Sequence, residues 1–253
     1  MISRRNFLDI LAVGLGSAAL CDLTTVSAGA GSRLPESPTL DQIASRGLKD
    51  LEAHVQVVSA DQAELAKINR DFGMAYRLKS LTMRYKEPNK LRMDGSIGCL
   101  IINGPTRHFR VPAIKLSKTD DLGESPGKRY TLMDIGLLTE GGLAGVQSRY
   151  LRDEQVDGET ARVFEITYKD DDSVKYVAWV DQRTHVLVKR EWYDGSGKRK
   201  ATFSYREPKQ VAADLWVPTR IEIRNPENVV AAVTSYSDVK VNQGLDDSLF
   251  KIA

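Results

Sequence analysis

Apolar and polar residues alternate over much of this chain, most clearly in its last hundred positions. Leu215, Val217, Thr219, Ile221 and Ile223 alternate with charged Arg220, Glu222 and Arg224. A period of two predicts a strand with one dry face and one wet face. Comparable segments occur at about 148–156, 160–168, 174–181, 185–193, 200–206, 215–224 and 229–240, the regular spacing expected of an all-β run. Between them lie Val156-Asp157-Gly158, Asp170 to Ser173, Asp181 to Thr184, Asp194 to Gly197, Glu207-Pro208 and Asn225 to Asn228. These are residues that tolerate or enforce turns. Strands joined by short turns form an antiparallel meander, because parallel neighbours need long crossovers.

The first half is less regular. Thr39 suits a helix cap, and Leu40, Ile43, Ala44, Leu48 and Leu51 share one helical face, although Gly47 weakens it. The stretch from Glu52 to Arg70 is ambiguous: His54 to Val58 suits a strand and Asp61 to Asn69 a short helix. From Tyr76 the period is two again up to the Glu87-Pro88-Asn89 turn, and Lys90 to Asp94 returns the chain. Ile97 to Ile102 and Thr106 to Val111 flank Asn103-Gly104, a two-residue hairpin signal, with Pro105 weakening the first ladder bond. Residues 112–128 are a polar connection. Tyr130 to Leu138 is apolar almost all round and helical in composition; Gly141-Gly142 breaks it, and Leu143 to Tyr150 suits another turn of helix.

The pattern predicts a mainly β chain of the α+β class, with about eleven strands and a few helices. A single antiparallel sheet of that width curls into a half-barrel. Helices near 39–51 and 131–150 are then available to cover its concave face. They either enclose an apolar cavity or fill the core, and the pattern alone leaves both open. On the first reading Leu132, Ile135 and Leu138 of the lid, with Trp179, Trp192 and Trp216 of the strands, line a ligand site. Arg84, Lys86 and Arg92 at the mouth then meet a headgroup or the lid. On the second reading the same apolar residues are core and the basic ones are solvated.

The N-terminus breaks the pattern. Ser3-Arg4-Arg5-Asn6-Phe7-Leu8 resembles the twin-arginine export consensus, with Asp9 where a basic residue is usual. The apolar run Ile10 to Leu20 is too short to span a bilayer. Residues 1–30 are expected to be a signal peptide cleaved near Ala28 or Ala30, residues 31–38 a flexible leader, and 39–253 the folded domain of a periplasmic protein. Leu20 before Cys21 speaks against a lipoprotein anchor. Cleavage would leave Cys99 as the one thiol, so no disulfide forms within the mature chain. The 36 basic and 34 acidic residues nearly cancel. That excludes a basic field for nucleic acid, and any binding would work by apolar enclosure rather than a strong field.

Catalytic and metal signals are thin. An Asn103-Gly104 turn would place Cys99 opposite His108, a pairing that can generate a thiolate. The alternative is a small Cys on a strand. His54, His108 and His185 are far apart, and Asp170-Asp171-Asp172 lacks the spacing of a calcium loop, so no metal is expected. No phosphate loop or serine elbow is present, and no cofactor is expected.

Four segments, in order, resemble the LolA-like superfamily of exported lipoprotein carriers and acceptors. They are Arg84 through Asp94, with Glu87-Pro88-Asn89 at its turn; Trp179 through Glu191 with Tyr193-Asp194; Leu215-Trp216-Val217-Pro218-Thr219-Arg220-Ile221; and Val239 through Phe250. The resemblance covers about 39–252 in this reading of strand order. It implies a half-barrel whose helical lid covers an apolar cavity for acyl chains, and a lipid or acylated protein as partner, with membrane contact transient at most. In the family's carrier an arginine just before the hairpin proline ties the lid shut; Glu87 stands there in this chain. Three functions are weighed: a non-enzymatic carrier or sensor binding an acyl chain or lipoprotein, a module that binds an envelope protein without lipid cargo, and a Cys-dependent enzyme.

Overall fold

Two antiparallel meanders meet at the middle of one open sheet. A computed structural model describes residues 37–45, 47–69, 73, 76–123, 129–169 and 171–252. The export segment with Arg4 and Arg5, and Asp170 of the acidic run, lie outside the described residues. The first meander comprises β1 (Asp50–Ala60), β2 (Ser80–Lys86), β3 (Lys90–Gly95), β4 (Gly98–Asn103), β5 (Thr106–Val111) and β6 (Leu116–Asp121). The second comprises β7 (Val146–Val156), β8 (Glu159–Tyr168), β9 (Asp171–Asp181), β10 (Leu187–Asp194), β11 (Arg199–Ala212), β12 (Leu215–Arg224) and β13 (Val230–Val241). The 13 strands are ordered β6-β5-β4-β3-β2-β1-β13-β12-β11-β10-β9-β8-β7. β1 and β13 pair at the centre, with Val55 opposite Tyr236 and Leu51 opposite Val241. β6 and β7 are the free edges, so the chain must travel from one edge to the other between Leu122 and Gly145. The sheet is curled, as its width requires.

The second meander follows the alternation closely. The turn expected at Glu207-Pro208 does not form. Glu207 takes a positive φ of 54°, but pairing resumes with Pro208 opposite Pro218 and β11 runs on to Ala212. The expected helix over Thr39 to Leu51 is also corrected: only a 3-10 turn, Leu40–Ile43, forms, and the chain enters β1 at Asp50. Gly47, at φ 79°, cannot continue a right-handed helix. The five apolar residues of that segment are buried all the same. A short helix, α1 (Gln62–Ile68), is capped by the Asp61 carboxylate on the N–H groups of Ala63 and Glu64.

Register at the β4–β5 hairpin differs by two residues from the expectation. Asn103 pairs with Thr106, and Gly104-Pro105 makes the turn. Gly104 has φ 60°, as the first central position of a type II′ turn needs, and Pro105 supplies the negative φ of the second. An Asn103-Gly104 turn would have put Pro105, which has no N–H, at the first ladder position.

One face of the sheet carries a continuous core that includes Leu51, Met83, Leu91, Phe164, Ile166 and Phe203. The opposite face holds a smaller cluster of Ala161, Val163 and Trp179. The C-terminal 3-10 turn Asp247–Phe250 also packs on that convex side, against β3 and β4.

Candidate functional site

The apolar stretch after Tyr130 crosses the concave face. It is not a continuous helix. A 3-10 turn, Leu132–Ile135, ends at Gly136 in the left-handed region, and a one-turn helix, α2 (Glu140–Leu143), follows behind the cap Thr139. Leu132, Met133, Ile135, Leu137 and Leu138 are all buried, so no amphipathic period marks the segment, and two glycines interrupt it. Its backbone is pinned to its surroundings. Leu187 N–H donates to the Gly136 carbonyl at 2.8 Å, and Ser45 N–H donates to the Leu138 carbonyl at 2.7 Å. The Tyr205 hydroxyl donates to the Met133 carbonyl at 2.9 Å.

Beneath it lies a buried charge. Arg190 of β10 donates to Asp134 at 2.7 Å, and its guanidinium sits 4.3 Å from the Phe203 ring centre and 4.9 Å from that of Tyr176. Both aromatic faces favour a cation there. The second oxygen of Asp134 accepts from Thr131 N–H at 2.8 Å, so one carboxylate caps the turn and binds the sheet. Burial pushes the nearby Tyr168 and Tyr236 phenols up to about 12, so both stay neutral at physiological pH.

Between this cover and β2, β3 and β4 is a cavity of about 210 Å³. Tyr85, Leu91 and Ile102 form the sheet side, and Leu132, Leu138 and Leu143 the cover. At one rim the Glu87 carboxylate accepts from the Tyr85 hydroxyl at 3.1 Å and from Thr139 and the Gly141 N–H of the cover. Burial holds Glu87 above the ordinary glutamate range, with repulsion from Glu140 adding to it, and these hydrogen bonds only partly offset the rise. The cavity is smaller than the roughly 300–1,000 Å³ of common small-molecule sites. A long chain fits only if the cover lifts.

A family model described as an uncharacterized protein matches residues 114–253, more than half of the chain. The chain belongs to that family. No curated protein matches significantly. Among solved structures, a Vibrio parahaemolyticus domain named for outer membrane lipoprotein sorting is similar at TM-score 0.59 and 17% identity, over 83% of this chain and 92% of that one. A DUF1329 family protein from Desulfovibrio piger is similar at TM-score 0.59 and 13% identity, over 84% and 92%. A LolA superfamily protein from Nitrosomonas europaea is similar at TM-score 0.54 and 20% identity, over 84% and 94%. At these identities the likeness establishes the fold: this family member has the LolA-like half-barrel.

Within that fold the residues singled out from the sequence separate. Leu132 and Leu138 line the cavity, and Ile135 is fully buried in the core beside it. Trp192 and Trp216 pack against the core outside the cavity, Trp216 beneath Arg183 at 5.3 Å. Trp179 is on the convex side under Lys189, 4.1 Å from its ring centre, because it alternates with Ala178 and Val180 of the core face. Arg84, Lys86 and Arg92 are also convex, opposite in phase to Met83, Tyr85 and Leu91. Arg84 binds Glu52 at 2.7 Å and Asp94 at 2.9 Å. Lys86 binds Asp247 at 2.7 Å, and Arg92 donates to the Leu249 carbonyl at 2.9 Å. Lys86 and Arg92 fasten the C-terminal turn, and Arg84 ties β2 to β1 and β3. Cys99 faces Arg110 and Asp94, while His108 sits opposite Ile101 with its Nδ1 2.9 Å from the Thr119 hydroxyl. Direct Cys–His pairing is lost with the register. Tyr85, Leu91, Ile102 and Arg129 of the cavity wall were not foreseen. The alternation in β2 and β3 held the signal for Tyr85 and Leu91, once the concave phase was known.

Proposed function

We propose that this protein is an exported, non-enzymatic carrier or sensor that holds an acyl chain or similar apolar ligand between the half-barrel and the 130–145 cover. The observation that carries the reading is the cavity itself: leucines from the cover face leucine and isoleucine from β3 and β4, across space that side chains leave unfilled. The solved relatives named for lipoprotein sorting and for the LolA superfamily support it through shared fold. The twin-arginine motif with Arg4 and Arg5 supports export. Binding is driven by burying chain, at roughly 0.8 kcal/mol per methylene before ordering costs. Lifting the cover opposes it, so the observed state is the closed one. Both sheet edges carry charge, Lys118 and Asp120 on β6 and Arg149 and Arg152 on β7. Charged edges discourage strand addition by a partner, which supports lipid binding over the envelope-module reading.

The test is native mass spectrometry of protein purified from its host envelope, with displacement of a fluorescent fatty acid. A co-purifying apolar ligand and saturable displacement are expected. An empty protein with no saturable binding overturns the proposal.

A further inference from the structure

Arg129 gives the cavity a charge of one sign. Among the described residues of the cavity wall it is the one formally charged side chain, and no carboxylate lines the space. Arg129 forms no ion pair with a described residue. Its Nη2 donates to the Leu122 carbonyl at 3.2 Å, and among the described residues its buried Nε has no partner. A guanidinium carries five donors in a fork shaped for carboxylate or phosphate, and an unused buried donor is costly.

The position is defined by backbone contacts. Leu122 N–H donates to the Pro105 carbonyl at 2.8 Å, and Gly104 N–H donates to the Asn89 carbonyl at 3.3 Å. Asn89, Gly104 and Arg129 therefore form a polar end of the wall, at the tips of the β2–β3 and β4–β5 hairpins. The same wall carries Leu137, Leu138 and Leu143. One cation and these leucines on a wall whose other described side chains are uncharged are the complement of a charged head and an apolar tail.

We infer that the ligand is a single-chain amphiphile with an anionic head, carboxylate or phosphate, and that Arg129 binds the head while the chain lies under the cover. The inference rests on the apolar-cavity reading above and adds the head group to it. A carboxylate or phosphate satisfies the buried Nε through a charge-assisted hydrogen bond, which is stronger than the neutral bond a hydroxyl head offers.

Calorimetric titration of the purified full chain with decanoate, decyl phosphate, decanol and acetate tests it. Decanoate and decyl phosphate are expected to bind at least tenfold tighter than decanol, and acetate not to saturate. Arg129→Gln should erase the difference between acid and alcohol, and Arg129→Lys should keep part of it. Equal affinity for decanoate and decanol overturns the head assignment and leaves the cavity reading standing. Acetate binding as tightly as decanoate overturns the amphiphile in favour of a simple anion site. Failure of every chain-bearing probe overturns both readings.

Discussion

Arg190 and Asp134 hold the cover to the sheet through one hydrogen-bonded ion pair 2.7 Å long, with the arginine side chain 2% exposed. Asp134→Asn keeps an oxygen for the Thr131 cap and removes only the charge. It leaves Arg190 buried without a counter-ion, a situation that costs about 3–5 kcal/mol. The double variant Asp134→Asn with Arg190→Met removes the orphaned charge and should be less destabilised than the sum of the two single variants. Urea unfolding of all four proteins measures the coupling; strict additivity would show that the pair contributes nothing of its own.

Gly136 marks where the cover rests on the floor. It has φ 89°, and an added Cβ would lie 2.7 Å from Tyr205 Cδ1 and 2.8 Å from Pro218 Cγ. Gly136→Ala therefore meets a left-handed backbone penalty and overpacking together, for an expected loss of about 2–4 kcal/mol. Gly145, whose added Cβ would meet nothing within 4 Å, is the control. Thermal unfolding should separate the two variants clearly.

The strands of the second meander were legible because alternation and turn residues are local. β6 was not: Leu116–Asp121 is an edge strand exposed along most of its length, so no dry face marks it. The β4–β5 register turned on Pro105, whose missing N–H moved the turn and separated Cys99 from His108. The cover was recognised as apolar, but composition could not tell a helix from a chain pinned by tertiary hydrogen bonds. The cavity was half legible. Leu132 and Leu138 stood out as lid, whereas Trp179 was misplaced because an aromatic on a curled sheet can pack on either face. Arg129 was invisible, since its place follows from which side chains the fold brings together around the cavity.

Glu87 ties the β2–β3 hairpin to the cover, and its carboxyl lies above the ordinary glutamate range chiefly through burial. The sign follows directly. The folded state holds this proton more tightly than the unfolded chain, so the contribution of Glu87 is most favourable below the ordinary glutamate pKa. It is lost as pH rises through the elevated folded value. Stability of the native protein minus that of Glu87→Gln should fall with rising pH across that window. Asp247, held low by Lys86 and Lys90, works the opposite way and is common to both proteins, so it cancels. A flat difference curve would show that the Glu87 proton is not linked to folding.

Phe250 closes the fold from the convex side. It is fully buried, although it lies three residues from the end of the chain. The turn that carries it is held by Arg92 on the Leu249 carbonyl and by Asn103 on the Phe250 carbonyl at 3.3 Å. Removing a buried aromatic ring costs about 3–5 kcal/mol, so Phe250→Ala should lower the urea midpoint strongly. Asp247→Asn touches the same turn through exposed ion pairs, and its smaller effect should fade with added salt. The two variants separate packing from charge in one element. Because the turn packs on β3 and β4, whose other face forms the cavity wall, Phe250→Ala should also weaken decanol binding, while Asp247→Asn leaves it unchanged. Equal stability of Phe250→Ala and the native protein would mean that the C-terminal turn is not part of the cooperative unit.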